Sequence, residues 1–124
     1  MSGDKLFIDT NIVLYLFAGD ETLVSILNNK NLYISFVTQL ELLSFRKLSK
    51  KDENALREFI DQCTVIDINS RIKETTIEIR KQYQTKLPDS IIIASSIYLD
   101  IPLITADTDF KRVADLNLLY YEKV

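Results

Sequence analysis

Four acidic residues stand where elements of secondary structure would begin or end: Asp9, Glu41, Asp89 and Asp107. Asp89 is the clearest case, because Pro88 suits the first turn of a helix, where its missing N–H costs nothing. The Asp89 carboxylate would then lie close to the positive end of the helix dipole. Since the sequence has no histidine and one cysteine, oxygen ligands of this kind favour hard cations such as Mg²⁺ or Mn²⁺.

Length and composition predict a single globular domain over residues 1–124. A chain of this length buries about two thirds of its surface on folding, which is enough for a proper core. Eighteen acidic and 15 basic residues give a net charge of −3. This balance argues against non-specific coating of nucleic acid, but it is compatible with acidic residues concentrated at a metal site.

Several kinds of chemistry are excluded by residues that the sequence lacks. Without histidine there is no Ser-His-Asp or Cys-His pair. Gly3 and Gly19 are the only glycines, so no glycine-rich phosphate loop can form. The single Cys63 excludes an intramolecular disulfide and a multi-cysteine zinc site. The presence of one cysteine is compatible with a reducing cytosol, and we expect a cytoplasmic protein. The early apolar run Ile12–Ala18 is too short to span a membrane, and no membrane partner is expected.

The hydrophobic pattern predicts strands that alternate with helices. The predicted strands are Lys5–Ile8, Asn31–Phe36, Thr64–Ile68, Pro102–Thr105 and Leu118–Tyr121. The predicted helices are Ile12–Phe17, Glu21–Asn28, Val37–Leu48, Lys50–Cys63, one carrying Ile72 and Tyr83, Pro88–Leu99 and Asp107–Leu116. Ile91–Ile93 could also be a strand, but the Pro-Asp start and the length favour a helix. Such alternation indicates an α/β fold with a mainly parallel sheet of four to five strands.

A parallel sheet would bring the four carboxylates to one edge. The helices that follow its strands run back antiparallel, so helix N-termini lie beside strand C-termini, where open α/β sheets carry their sites. With a strand order of 3-2-1-4-5, the first and fourth strands are neighbours, and Asp9 and Asp107 become the preferred direct ligands. Asp67 follows the third strand and serves as a control. It would lie two strands from Asp9, roughly 10 Å away, and outside the cluster.

Each carboxylate also has a purely structural interpretation. Asp9 and Asp107 could cap helices, Glu41 could close a capping box with Thr38, and Asp89 could only complement a helix dipole. Taken together, these interpretations are weaker, because neighbouring carboxylates repel and raise one another's pKa. A fold gains nothing by gathering several of them without a cation, so the set favours a metal site.

The residues around the four carboxylates resemble a known family, the PIN domain. The motifs are Phe7-Ile8-Asp9-Thr10-Asn11, Thr38-Gln39-Leu40-Glu41, Lys86-Leu87-Pro88-Asp89 with Ile93-Ala94, and Leu103-Ile104-Thr105-Ala106-Asp107-Thr108-Asp109-Phe110. The sequence is most similar to the VapC-type toxins of bacterial and archaeal toxin–antitoxin pairs. The resemblance covers nearly the whole chain, and the last two motifs are more specific than the first.

The resemblance implies a three-layer α/β/α fold and a set of functional residues. Asp9, Glu41, Asp89 and Asp107 match the acidic metal-binding and catalytic positions, and Asp109 matches an additional acidic position. Asn11 and Thr105 match polar positions that support the site. The implied activity is that of an Mg²⁺- or Mn²⁺-dependent endoribonuclease, a hydrolase that leaves a 5′-phosphate and a 3′-hydroxyl. The implied partners are an RNA substrate, a cognate antitoxin and a second copy of the chain. Ser90 stands where many members have alanine.

Two alternative functions from other classes are kept. One is a phosphoacceptor signalling domain of flavodoxin-like topology, although its acidic pair after the first strand and its lysine after the last strand are not evident. The other is a catalytically idle PIN-fold binding module.

Two further sets of residues carry expectations about partners. A homodimer is expected to use part of the Pro88–Leu99 helix, which has more apolar surface than one sheet-facing stripe needs. The apolar residues concerned are Ile91, Ile92, Ile93, Ile97 and Tyr98. The basic residues near the acidic edge in sequence could hold the RNA backbone. They are Arg46, Lys47, Lys86, Lys111 and Arg112.

Overall fold

A five-stranded parallel sheet forms the centre of the computed structural model, which describes residues 4–123. The strand order is β3-β2-β1-β4-β5, and every neighbouring pair is parallel. The strands are β1 Lys5–Ile8, β2 Asn31–Ser35, β3 Thr64–Ile66, β4 Leu103–Thr105 and β5 Leu118–Tyr120. The α-helices are α1 Thr10–Phe17, α2 Glu21–Leu27, α3 Phe36–Leu43, α4 Lys50–Gln62, α5 Ser70–Tyr83 and α6 Leu87–Leu99, and Thr108–Arg112 forms a 3₁₀ helix. The predicted parallel sheet is confirmed, and the structure has the 3-2-1-4-5 order on which the placement of Asp9 beside Asp107 depended.

The side chains of β1 alternate between two hydrophobic clusters, as a pleated strand requires. Leu6 and Ile8 belong to a cluster with buried residues of α1, α2 and α4. Phe7 belongs to a second cluster with buried residues of α5 and α6. Ile104 and Leu103 of β4 divide between the two clusters in the same way. Each face of the sheet therefore has its own helical layer, and the predicted three-layer α/β/α fold is confirmed.

The segment with three consecutive isoleucines is helical, and its first turn carries Asp89. Helix α6 has Pro88 in its first turn, where no N–H is needed. Ile92 and Ile93 are buried in the second cluster, while Ile91 packs only partly against it. The helix ends at Asp100, whose φ of 55° is left-handed. Helix α6 thus places the Asp89 carboxylate at the same edge as the C-terminal ends of β1 and β4.

Two predicted helices were wrong in extent, and some strand ends shift by one or two residues. Helix α3 begins at Phe36 because the buried Ser35 caps it, with its Oγ accepting from the Val37 N–H at 3.1 Å. The predicted capping box of Thr38 and Glu41 is therefore wrong, and α3 ends at Leu43 instead of Leu48. The predicted helix Asp107–Leu116 is only the 3₁₀ helix.

The short 3₁₀ helix has a simple cause in the sequence. Phe110 of the 3₁₀ helix, Val113 directly after it and Leu116 in the following turn are three residues apart, and all three are buried. Side chains three apart fall in line in a 3₁₀ turn. The backbone follows this spacing, because Val113 N–H bonds the Phe110 carbonyl and Leu116 N–H bonds the Val113 carbonyl.

Candidate active site

The four acidic residues proposed from the sequence line one cavity of about 270 Å³, together with Thr10, Asn11, Leu14 and Phe45. Asp9 follows β1 and is the N-cap of α1, while Asp107 follows β4 and caps the 3₁₀ helix. Glu41 comes from α3, and Asp89 comes from the first turn of α6. Four separate segments thus bring one carboxylate each to the same place. Two larger cavities lie elsewhere, near Tyr121 and near Cys63, and neither contains these residues.

Asp9 is buried, and both of its oxygens are held. Oδ1 accepts from the Thr10 N–H at 2.7 Å, and Oδ2 accepts from the Thr105 hydroxyl at 2.6 Å. Burial raises the pKa of Asp9 to about 6 although these two hydrogen bonds lower it, and the charges of Asp89 and Glu41 add to the rise. A buried acid of this kind is a frequent feature of functional sites.

Thr105 and Asn11 connect the end of β4 to the start of α1. The Thr105 Oγ1 accepts from the Asp107 N–H at 3.1 Å and faces the Asn11 Nδ2 at 3.4 Å. Asn11 Oδ1 accepts from the Ala106 N–H at 3.3 Å. The two residues that the resemblance marked as supporting therefore tie the turn that carries Asp107 to the Asp9 carboxylate.

A hydroxyl that sequence reasoning missed holds Glu41. Thr10 Oγ1 lies 2.7 Å from Glu41 Oε1 and 3.0 Å from the buried Thr38 Oγ1. A hydroxyl has one hydrogen to donate, and an ionised carboxylate can only accept. When Thr10 donates to Glu41, Thr38 therefore donates to Thr10. The only sequence signal was that Thr10 lies between two residues already assigned to the site.

Asp89 has no hydrogen bond to its carboxylate within residues 4–123, and its surroundings are acidic. Partial burial raises its pKa to about 6, with further upward contributions from Asp107, Glu41 and Asp109, while Lys86 lowers it. Among the described residues, no basic group lies within 4 Å of the carboxylates of Asp9, Glu41, Asp89 or Asp107. The cavity thus concentrates negative charge that no cation of residues 4–123 pairs with directly.

Asp109 and Asp67 both lie outside the lining of this cavity. Asp109 is exposed, its carboxylate lies 3.6 Å from Arg112, and its N–H donates to Asp107 Oδ1 at 2.9 Å. It acts on Asp89 by charge alone. Asp67 follows β3, two strands from β1, and its side chain accepts from the Ile68 N–H. The prediction that Asp67 lies apart from the cluster is confirmed.

The donor set suits a hard divalent cation, although the side chains are not gathered around one point. All of the acidic groups that line the cavity are carboxylates, which Mg²⁺ and Mn²⁺ prefer. Within the described residues, no three acidic side chains stand close enough to one another to hold one ion together. Burial first, and then the charges of neighbouring carboxylates, raise the pKa values of Asp9 and Asp89, and a bound cation would offset this cost of ionisation.

The three-layer fold, the strand order and the carboxylates at one edge of the sheet describe a class of α/β protein. A comparison with family models shows which family this is. The PIN domain model matches residues 6–116, so the chain belongs to the PIN domain family. A comparison with curated proteins found no match.

Solved structures with the same fold come from toxin–antitoxin complexes. One is a chain of a toxin–antitoxin complex from Klebsiella pneumoniae, with 29% identity, a TM-score of 0.83, and 95% of this chain and 99% of that chain covered. Another is from VapBC2 of Rickettsia felis bound to a promoter DNA fragment, with 23% identity, the same TM-score and the same coverage. VapBC-1 from nontypeable Haemophilus influenzae gives 24% identity and a TM-score of 0.75, with coverage of 94% and 97%. The resemblance to VapC-type PIN domains is confirmed.

Proposed function

We propose that this chain is an Mg²⁺- or Mn²⁺-dependent endoribonuclease and the toxin component of a toxin–antitoxin pair. The observation that carries the proposal is the cavity in which four segments present four carboxylates, none of them in an ion pair with a basic residue of the described part of the chain. Membership of the PIN domain family supports a nuclease, and the 29% identical structure from a toxin–antitoxin complex supports an antitoxin as partner. None of the helices between residues 4 and 123 has the length and apolar character needed to cross a bilayer.

In the proposed reaction, water attacks the phosphorus atom, the bond from phosphorus to the 3′ oxygen breaks, and the 3′ oxygen takes a proton from solvent and leaves as a hydroxyl. A divalent ion at this site would lower the pKa of a bound water and offset the charge of the phosphate. Asp9 and Asp107, which follow neighbouring strands, are proposed to hold that ion. Glu41, fixed by the Thr10 hydroxyl, orients the attacking water. Asp89, whose carboxylate no hydrogen bond fixes in the described chain, accepts the proton of that water.

A cleavage assay with a second, independent readout tests this proposal. Purified protein is incubated with single-stranded RNA in Mg²⁺, in Mn²⁺ and in EDTA, and Asp9→Asn is assayed in parallel. We expect cleavage with either ion, none in EDTA, and none by the variant. Mg²⁺ should also raise the Tm of the wild type, because a ligand that binds only the folded state stabilises it. Undiminished cleavage in EDTA, once contaminating nuclease is excluded, would refute the metal-dependent mechanism.

The two alternative functions make different predictions in the same experiments. A phosphoacceptor domain would retain phosphate on an aspartate after treatment with a small phosphodonor, and an idle binding module would bind a partner without cleaving RNA. The match to the PIN domain family favours the nuclease over the phosphoacceptor. The cleavage assay decides between the nuclease and the idle module.

A further inference from the structure

Two apolar side chains line the acidic cavity although the hydrophobic core does not use them. Leu14 and Phe45 are 39% and 45% exposed, and both lie beside the four carboxylates. Neither belongs to the two core clusters nor to the partly buried residues that pack against them. We refer to Leu14 and Phe45 as the apolar wall. Scattered exposed apolar residues need no explanation, but two of them in one acidic cavity do.

The backbone that places Glu41 also holds Phe45 outside the core. Helix α3 ends at Leu43, and Ser44 closes it with a hydroxyl that donates to the Leu40 carbonyl and an N–H that bonds the Glu41 carbonyl. Phe45 is the next residue, so its ring projects from the short segment between α3 and α4. Arg46 and Lys47 follow it directly and are exposed.

The charge of the cavity creates a problem for binding RNA. Most nucleic-acid affinity comes from cations that neutralise phosphates, but this chain has a net charge of −3 and its cavity is acidic. Part of the affinity must therefore come from contacts that do not depend on phosphate charge. Stacking of a base on an aromatic ring is such a contact, and it is tolerant of sequence.

We propose that the apolar wall is a subsite for one unpaired nucleobase next to the scissile phosphate, with Phe45 as the ring on which the base stacks. This inference rests on the proposed function, and it specifies the substrate as RNA that is single-stranded at the cut. A base inside a duplex is stacked on its neighbours and cannot reach a ring in the protein. Arg46 and Lys47 are placed to contact the phosphates that flank this base.

The size of the apolar wall favours a base over a protein as its occupant. A stable protein interface buries about 800 Å² on each partner, whereas Leu14 and Phe45 offer two partly exposed side chains. The wall is also continuous with the carboxylates, because all six side chains line one cavity.

The test compares variants that separate an aromatic ring from general apolar character. Phe45→Ala and Phe45→Leu remove the ring, Phe45→Tyr keeps it, and Leu40→Ala is the control. Leu40 is 58% exposed on the same helix α3 and does not line the cavity. The probes are a fluorescently labelled single-stranded RNA with a mapped cleavage site, its full duplex, and the same strand with an abasic residue beside that site.

We expect the wild type to prefer the single strand to the duplex. Phe45→Ala and Phe45→Leu should raise KM for the single strand by about 5- to 150-fold, which corresponds to the loss of one base–aromatic stacking contact. Phe45→Tyr and Leu40→Ala should stay near the wild type. The wild type should bind the abasic strand more weakly than the intact strand by a similar factor. The Phe45→Ala variant should bind the two strands about equally, because its stacking contact is already lost.

Binding measured by fluorescence anisotropy in EDTA separates this inference from the proposed function. If the wild type binds RNA in a Phe45-dependent way but cleaves none, the subsite stands and the nuclease proposal fails. If the wild type cleaves RNA but folded Phe45→Ala and Phe45→Leu keep wild-type KM and Kd, the subsite is refuted. Loss of antitoxin binding in these variants, with RNA binding unchanged, would also refute it and assign the apolar wall to a protein partner.

Discussion

At the residue scale, Asp9 and Asp89 are the carboxylates whose charge costs the fold most. Their pKa is about 6 in the folded chain, whereas the ordinary value is 3.8. Between about pH 4 and pH 6 the folded state therefore holds more protons than the unfolded state. The free energy of unfolding then falls as the pH rises through this window and levels off above it. The destabilisation is thus fully present at pH 7 in the metal-free protein.

Asp9→Asn should remove the Asp9 part of this pH dependence. Asn caps a helix about as well as Asp, so the variant keeps the N-cap and loses the buried charge. Without metal at pH 7 we expect it to be more stable by about 1–3 kcal/mol, since one pKa unit corresponds to about 1.4 kcal/mol. Urea unfolding in EDTA from pH 4 to 8 measures the difference between the two proteins, which cancels the titration of other groups. If the difference in unfolding free energy between Asp9→Asn and the wild type were the same at pH 4 and pH 6, the raised pKa would not belong to Asp9.

Thr10 is expected to act on catalysis through Glu41. Thr10→Val keeps the shape of the side chain but leaves Glu41 without its 2.7 Å hydrogen bond. Groups that orient the residues of a metal site change activity by about 10- to 100-fold, and we expect a loss of that size in RNA cleavage. Thr10→Ser keeps the hydroxyl and should restore most of the rate. Thermal melting of both variants controls for folding, and wild-type cleavage by Thr10→Val would remove Thr10 from the site.

At the scale of elements, the start of α6 depends on a buried pair of hydroxyls. Ser90 Oγ donates to the Lys86 carbonyl at 2.7 Å, and the Thr85 hydroxyl lies 2.5 Å from Ser90 Oγ. Because the hydrogen of Ser90 is already used, Thr85 is the donor of the pair. Both side chains are buried. They hold the turn from which Asp89 projects.

Ser90→Ala should therefore destabilise the protein by leaving the Thr85 hydroxyl unpaired. A buried donor without a partner costs about 1–3 kcal/mol, whereas removal of both partners can be nearly neutral. We expect the double variant Thr85→Val with Ser90→Ala to be more stable than Ser90→Ala alone. Urea unfolding at one pH checks the order. If the double variant is the less stable of the two, the hydroxyl pair is not what determines the stability of this turn.

At the scale of the whole molecule, most of the apolar surface of α6 is covered by the chain itself. Ile92 and Ile93 are fully buried in the second cluster, so they are not available to a dimer interface, and the expectation that part of this helix forms one falls on its other apolar residues. Ile91 and Ile97 are partly buried, and Tyr98 is 46% exposed. With Leu87, which is 49% exposed, and the partly buried Leu99, they make up the apolar surface that α6 leaves for a second copy.

We predict that the protein is a homodimer at micromolar concentration and that Tyr98 lies in its interface. Tyr98→Glu should shift light scattering towards the mass of a monomer, because a buried charge without a partner is costly. Val24→Glu is the matched control, since Val24 is 53% exposed on α2 in the opposite helical layer. A wild type that is monomeric at this concentration would contradict the dimer, and an unchanged mass for Tyr98→Glu would exclude this face.

The α/β fold and the edge at which the four carboxylates lie could be predicted from the sequence, whereas the strand order was assumed and came from the structure. Strand periodicity, N-capping residues and the Pro-Asp helix start are local signals, and parallel strands necessarily share an edge. Asp9, Glu41, Asp89 and Asp107 could therefore be placed together without coordinates, although their roles in binding and catalysis remain proposals.

How the carboxylates are held, and what else lines the cavity, depends on packing between distant parts of the chain. The bond from Thr10 to Glu41 joins residues 31 apart, and it depends on how α1 packs beside α3. Helix α3 ends at Leu43, where Ser44 closes it with bonds to the Leu40 and Glu41 carbonyls. That end leaves Phe45 exposed beside the carboxylates. Local sequence could not show this, because the exposure of a side chain is set by which elements cover it.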